Sequence, residues 1–133
     1  MNDRAAHEGV ANDRIFVTGL ALHAYHGVMP HEAKVSQSFA LDPGVGFGKT
    51  PEQSMAVIAR LEAFRRFGRP LLVGASRKRF INTVVPSSPD HRLGGSIAAH
   101  LLAVRNGASI VRVHDVAETV QALRVAAAIG SAS

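Results

Sequence analysis

Pro70-Leu71-Leu72-Val73-Gly74, followed at once by Ala75-Ser76-Arg77-Lys78-Arg79-Phe80, decides the fold of this chain. A short apolar run with no polar alternation fits a strand covered on both faces, as in a parallel sheet wrapped by helices. The charged loop behind it marks where that strand reaches solvent. The same order of apolar run, polar loop and helix recurs on either side. Upstream, Val35-Ser36-Gln37-Ser38-Phe39-Ala40-Leu41 runs into Asp42-Pro43-Gly44-Val45-Gly46-Phe47-Gly48-Lys49-Thr50. Thr50 is a good N-cap, Pro51 suits the first helical position, and Gln53 completes a Thr-x-x-Gln capping box. Met55, Ile58, Leu61 and Phe64 then follow at helical spacing until Gly68 ends the helix.

Downstream of 75–80, read as loop, an Ala/Leu-rich segment predicts a helix over about 90–105 despite Gly94-Gly95, and Gly107 stops it. Ile110-Val111-Arg112-Val113 is the next strand. Asp115 is placed to cap a last helix with Glu118 three residues on, covered by Val120, Leu123, Val125 and Ala127. Strands beginning near 38, 71 and 109 predict three βα units of a parallel sheet. A β-rich segment over 14–20 supplies an opening strand. In parallel α/β folds ligands bind at the carboxyl ends of strands, and there the loops 42–49, 76–79 and 112–115 gather polar and glycine residues.

The 133 residues provide for one domain, and 47% hydrophobic against 19% charged residues is a globular composition. No apolar run approaches the roughly 18 residues of a membrane span, and the amino-terminal residues lack a secretory pattern, so a cytoplasmic location is expected. The absence of cysteine excludes disulfides, thiolate metal sites and a Cys nucleophile. A net charge of +5 favours anionic partners, although only Lys34, Lys49 and Lys78 are lysines and a general arginine preference would give the same excess.

Asp42 stands where a carboxylate could accept paired hydrogen bonds from an amino-heterocycle; read alone, Asp42-Pro43-Gly44 is a turn. Gly48-Lys49-Thr50 before a helix has the ending of a P-loop, but Pro43 occupies the position of the required first glycine. Ser76, Arg77 and Lys78 suit an anionic or carbonyl-bearing ligand, or a solvated basic turn. Arg112 and His114, two apart on a strand, would point the same way and share one phosphate or diphosphate. His23, His26 and His31 with Glu32 match no metal-ligand spacing, and no metal site is expected there. No nucleophile-elbow sequence surrounds Ser76 or Ser96.

At these loops the chain resembles a known family. The blocks 42–50, Gly74-Ala75-Ser76-Arg77-Lys78-Arg79-Phe80 and Arg112-Val113-His114-Asp115-Val116 look like the last three signature blocks of dihydropteroate synthase, over about 39–130. The resemblance implies the carboxyl-terminal part of a (β/α)₈ (TIM) barrel of three βα units with a short amino-terminal β segment. It implies an enzyme condensing hydroxymethyl-dihydropterin diphosphate with p-aminobenzoate to dihydropteroate in folate biosynthesis. It further implies that Asp42 and Lys78 hold the pterin, with catalytic roles, that Gly46, Phe47 and Ser76 border the p-aminobenzoate, and that Arg112 and His114 bind the diphosphate. The family also implies Mg²⁺, whose asparagine ligand is not in this chain.

Residues 13–41 look different. Asp13-Arg14-Ile15-Phe16-Val17-Thr18-Gly19-Leu20, Tyr25-His26-Gly27-Val28, Glu32 and Gln37-x-Phe39 resemble the start of dihydroneopterin aldolase, in which Glu32 would be an active-site carboxylate. Phe39-Ala40-Leu41-Asp42 fits a strand in both families and marks a junction, so a truncated or chimeric chain is expected, flanked by a disordered 1–12 and a tail at 131–133. A barrel of about 250 residues cannot close from three βα units. Measurable turnover is therefore not expected from the isolated chain, whereas self-association is. The alternatives are an aldolase-type fragment and a non-catalytic binder of anions or nucleic acid, the latter disfavoured by one Tyr and no Trp.

Overall fold

Three parallel strands, β1 (Phe16–Thr18), β2 (Leu72–Val73) and β3 (Ile110–Arg112), form a sheet in the order β1-β3-β2. The structure is a computed structural model that describes residues 15–19 and 40–132. Among the described residues four α-helices accompany the sheet: α1 (Pro51–Ala59), α2 (Arg79–Val84), α3 (Leu93–Arg105) and α4 (Val116–Gly130). Among the described residues the first strand thus lies beside the last. Its register sets Val17 opposite Val111, and β2 sets Val73 opposite the same residue. All three valines are fully buried, each contributing about 1.5–3 kcal/mol of transfer free energy.

The core falls into two clusters on the two sides of β3. Ile58, Leu61, Leu71, Val73, Phe80 and Ala103 join β2 to α1, α2 and α3. Val17, Val111, Val113, Val116 and Leu123 join β1 and β3 to α4.

The strand expected from about 38 survives, among the described residues, as a single parallel bridge between Leu41 and Leu71. Leu41 N donates to Pro70 O and Leu72 N to Leu41 O, each at 2.8 Å. Pro43, without an N–H, cannot extend that ladder. The capping box forms as read, with Gln53 N donating to Thr50 Oγ1 at 3.1 Å and Thr50 N to Gln53 Oε1 at 2.9 Å.

Several boundaries differ from the sequence reading for identifiable reasons. The helix from Pro51 does not run unbroken to Gly68: it ends at Ala59 and continues as a 3₁₀ helix, Leu61–Phe67. Asn106 Nδ2 donates to Ile58 O at 2.9 Å, occupying a carbonyl that a continued α-helix would have used. Residues 79–80, read as loop, begin α2, whose Ile81 packs so closely on Gly95 that a Cβ there would lie 2.6 Å from Ile81 Cγ2. That contact explains a glycine inside α3. Asp115 sits at the N-cap of α4 but makes no side-chain cap bond, because its carboxylate faces Arg77 instead. Val125 does not cover the sheet; it is exposed, and Val116, Thr119 and Leu123 form the buried face of α4. The expected disorder at 1–12 lies outside the described residues, as does Phe39 at the start of the junction 39–42.

Candidate functional site

The bridge at Leu41, β2 and β3 all deliver their polar loops to one carboxyl-terminal rim. Asp42 leads the first loop. Its Oδ1 accepts from Gly44 N at 2.8 Å, fixing a turn, and its Oδ2 faces Arg112 Nη2 at 3.5 Å. Gly46 has φ +81°, and a Cβ there would fall 2.4 Å from Lys78 Cδ, so both backbone and space require glycine. Lys78 crosses that gap: its ammonium donates to Val45 O at 2.5 Å and stands 4.0 Å from the centroid of the exposed Phe47 ring. Burial lowers the Lys78 pKa, Arg112 and Lys49 lower it further, and Asp42 works against them.

The glycine loop does not form a phosphate cradle. Gly46 N donates to Ser54 Oγ at 3.0 Å, Thr50 N and Gln53 N close the capping box, and Lys49 Nζ donates to Gly44 O at 3.0 Å. These donors are committed inward.

The second loop holds Arg77 in the left-handed region at φ +57°, which costs about 1–2 kcal/mol for a residue with a Cβ. One face of α3 holds it there. Ala75 N donates to His100 Nε2 at 3.0 Å, Arg77 N donates to Ser96 Oγ at 2.8 Å, and Arg92 Nη1 donates to Arg77 O at 2.9 Å. Arg92 at the N-cap of α3, with Ser96 and His100 inside it, recur every fourth residue, so three side chains clamp the backbone of Ala75 and Arg77 on either side of Ser76. Sequence reasoning missed this stripe; its signal was polar side chains at helical spacing in an otherwise apolar helix. His100 is fully buried, and burial lowers its pKa to about 4, with a hydrogen bond to the Ser96 backbone opposing and Lys78 assisting.

Arg77 extends to the third loop, with Nη2 3.2 Å from Asp115 Oδ1, and more loosely to Asp90 at 3.5 Å. His114 follows β3 rather than lying on it, which corrects the expectation that it shares a strand with Arg112. Each is instead held by a different loop. Ser76 Oγ lies 2.7 Å from His114 Nδ1 and accepts from His114 N at 3.0 Å. Loss of solvent lowers the His114 pKa first and Arg77 second, while Asp115 raises it. Asp42, Lys78, Arg112, Ser76, His114, Gly46 and Phe47 therefore occupy one rim, linked as Asp42–Arg112, Ser76–His114 and Lys78 over the loop 45–47. Glu32, His23, His26 and His31 lie outside the described residues.

No group of three metal-ligating side chains occurs among the described residues, and the carboxylates of Asp42 and Asp115 face arginines. These residues do not fit Mg²⁺. Two apolar grooves of about 570 and 580 Å³ lie among the helices, and no rim-loop residue lines either. No helix among the described residues is long and apolar enough to cross a membrane.

A parallel sheet under helices, with a basic rim at the strand exits, defines an α/β protein, and in such folds ligands bind at that edge. The sequence profile of the pterin binding enzymes matches residues 4–114, and the chain belongs to that family. The match spans residues 13–41, the segment expected from its sequence to be aldolase-like. Within the family the chain is similar to dihydropteroate synthases. It is 48% identical over 96 residues to that of Escherichia coli strain K12, covering 72% of this chain and 34% of the relative. It is 39% identical over 117 residues to that of Synechocystis, covering 87% of this chain and 38% of the relative. The crystal structure of dihydropteroate synthase from Stenotrophomonas maltophilia superposes with a TM-score of 0.67 at 47% identity, covering 69% of this chain and 35% of that one. The Xanthomonas albilineans enzyme, solved with 4-aminobenzoic acid, gives 0.67 at 45% identity, covering 69% and 34%. The chain spans about a third of the length of these relatives.

Proposed function

We propose that this chain is the carboxyl-terminal part of a dihydropteroate synthase site, the diphosphate and ring-holding side of a (β/α)₈ barrel in folate biosynthesis. The observation that carries the reading is the rim itself. Asp42, Lys78, Ser76, Arg112 and His114 come from three strand exits, their residue types resemble the signature blocks, and contacts run between the exits. In the reaction, diphosphate leaves the pterin methylene and the amine of p-aminobenzoate takes its place. Such a step needs a fixed grip on the departing anion and a planar hold on the ring more than a strong base. Arg112 and His114 supply the grip, Asp42 and Lys78 the hold, and Gly46, Phe47 and Ser76 border the p-aminobenzoate. Since the Mg²⁺ that the family implies finds no fitting ligand set here, no step is assigned to it.

In this reading residues 13–41 contribute β1 rather than a second activity, and release of glycolaldehyde from dihydroneopterin is not expected. A cytoplasmic location and self-association through open sheet edges belong to the same proposal. The test is dihydropteroate formation together with diphosphate titration. The reading expects no turnover by this chain alone but weak diphosphate binding that Arg112→Ala and added salt diminish. Tight pterin binding without diphosphate binding would overturn it. The nucleic-acid reading requires binding to oligonucleotides that falls steeply with salt, and undetectable binding removes it.

A further inference from the structure

Ser76 Oγ receives a hydrogen bond whose direction is fixed: the backbone N–H of His114 donates to it at 3.0 Å, and a peptide nitrogen can only donate. The same oxygen stands 2.7 Å from His114 Nδ1. Ser76 is buried, 6% exposed, and among the described residues no other acceptor meets its hydroxyl. If Nδ1 carried a proton, Oγ would accept twice and its own proton would be buried without a partner, at a cost of about 1–3 kcal/mol. If Nδ1 is bare, that proton goes to it and every group is satisfied. The neutral imidazole then carries its proton on Nε2.

We propose that Ser76 is a positioning residue that fixes His114 as its Nε2–H tautomer, so that a neutral N–H donor, rather than an imidazolium, is offered to an anionic oxygen at the rim. The proposal rests on the reading of His114 as a diphosphate contact, while the tautomer follows from the hydrogen bonds alone. Arg112 supplies the charge, and His114 supplies direction. Protonating Nδ1 would turn the acceptor of the Ser76 proton into a second donor aimed at the same oxygen, which disfavours the cation. The lowered His114 pKa, from lost solvent and Arg77 against the pull of Asp115, runs the same way.

Long-range ¹H–¹⁵N spectra of the full chain near pH 8 read the tautomer directly. His114 is identified by the signals lost in His114→Gln. The expected result is a bare Nδ1 and a protonated Nε2 in the unmodified chain, with Ser76→Ala moving both toward values averaged between the two forms. A protonated Nδ1 in the unmodified chain, or spectra untouched by Ser76→Ala, overturns the proposal, and the first outcome needs no variant to fold. Titration with inorganic diphosphate then tests the use of that donor. The amide of Gln reaches the Nε2 position and that of Asn the Nδ1 position, so His114→Gln should weaken binding about threefold or less and His114→Asn about tenfold or more. The reverse order overturns the role of Nε2. If the tautomer is as expected but the unmodified chain binds no diphosphate, the functional reading fails and the Ser76–His114 assignment stands.

Discussion

Arg112 reaches Asp42 by passing over the bare Cα of Gly74: a Cβ at that position would lie 2.9 Å from Arg112 Nη2 and 3.3 Å from its Nε. The side chain from β3 thus crosses the exit of β2 to reach the carboxylate beyond it. Gly74→Ala should leave the backbone undisturbed, since this glycine does not need positive φ, yet push the guanidinium off Asp42. Diphosphate affinity measured by calorimetry should fall about tenfold, comparable to losing one charged hydrogen bond. Affinity equal to that of the unmodified chain would mean Arg112 does not need this path.

Lys78 is held below its ordinary pKa by burial first and by Arg112 second, with Asp42 opposing. Arg112→Ala should therefore raise the Lys78 pKa, and Asp42→Asn should lower it. Competitive labelling with an amine-selective reagent across pH reads both. Movement of the two variants in the same direction would contradict the electrostatic account.

His100 ties its protonation to folding. The folded pKa is about 4 against 6.5 for free histidine, so between those values the unfolded chain binds more protons. Stability from the buried neutral ring is fully present above pH 6.5 and is lost as pH falls toward 4. From pH 7 to 5 the loss is about 2 kcal/mol, the slope approaching ~1.4 kcal/mol per unit below pH 6. Urea unfolding at both pH values should show it, and His100→Gln, which cannot titrate, should shrink the difference by that amount. An unchanged difference would place the acid sensitivity elsewhere.

Open edges make the fourth expectation. Among the described residues the outer side of β1 and that of Leu41 pair with nothing further, and Val84, Val85, Val125 and Ile129 are exposed. Sedimentation should show association rising with concentration. A single monomeric species throughout the concentration range would count against it.

The local signals in the sequence carried far. Thr50, Pro51 and Gln53 announce a helix start because capping is decided within four residues, and the apolar run at 71–73 and the valine-rich run at 110–113 announce strands because parallel strands are covered on both faces. What escaped depended on distant partners. Asn106 breaks the helix after Ala59 from 47 positions away, and Asp115 leaves its cap because Arg77, 38 positions earlier, claims it. The rim residues were legible as types at strand exits. Their pairing was not: Arg112 with Asp42 and His114 with Ser76 replace the same-strand pair the spacing suggested, because β3 ends before His114.

The placement of β1 beside β3 also orders events in time. Val17 meets Val111 across 94 intervening steps of chain (111 − 17), and closing such a loop by itself costs about 4 kcal/mol of entropy by simple chain statistics. The contacts that repay it, on β3 and α4, are synthesised long after it. A ribosome releasing this polypeptide therefore exposes Val17 early and gives it a home only after residues 110–123 have emerged. Docking of β1 is expected to wait for the synthesis of β3 and α4 rather than to accompany that of its own segment.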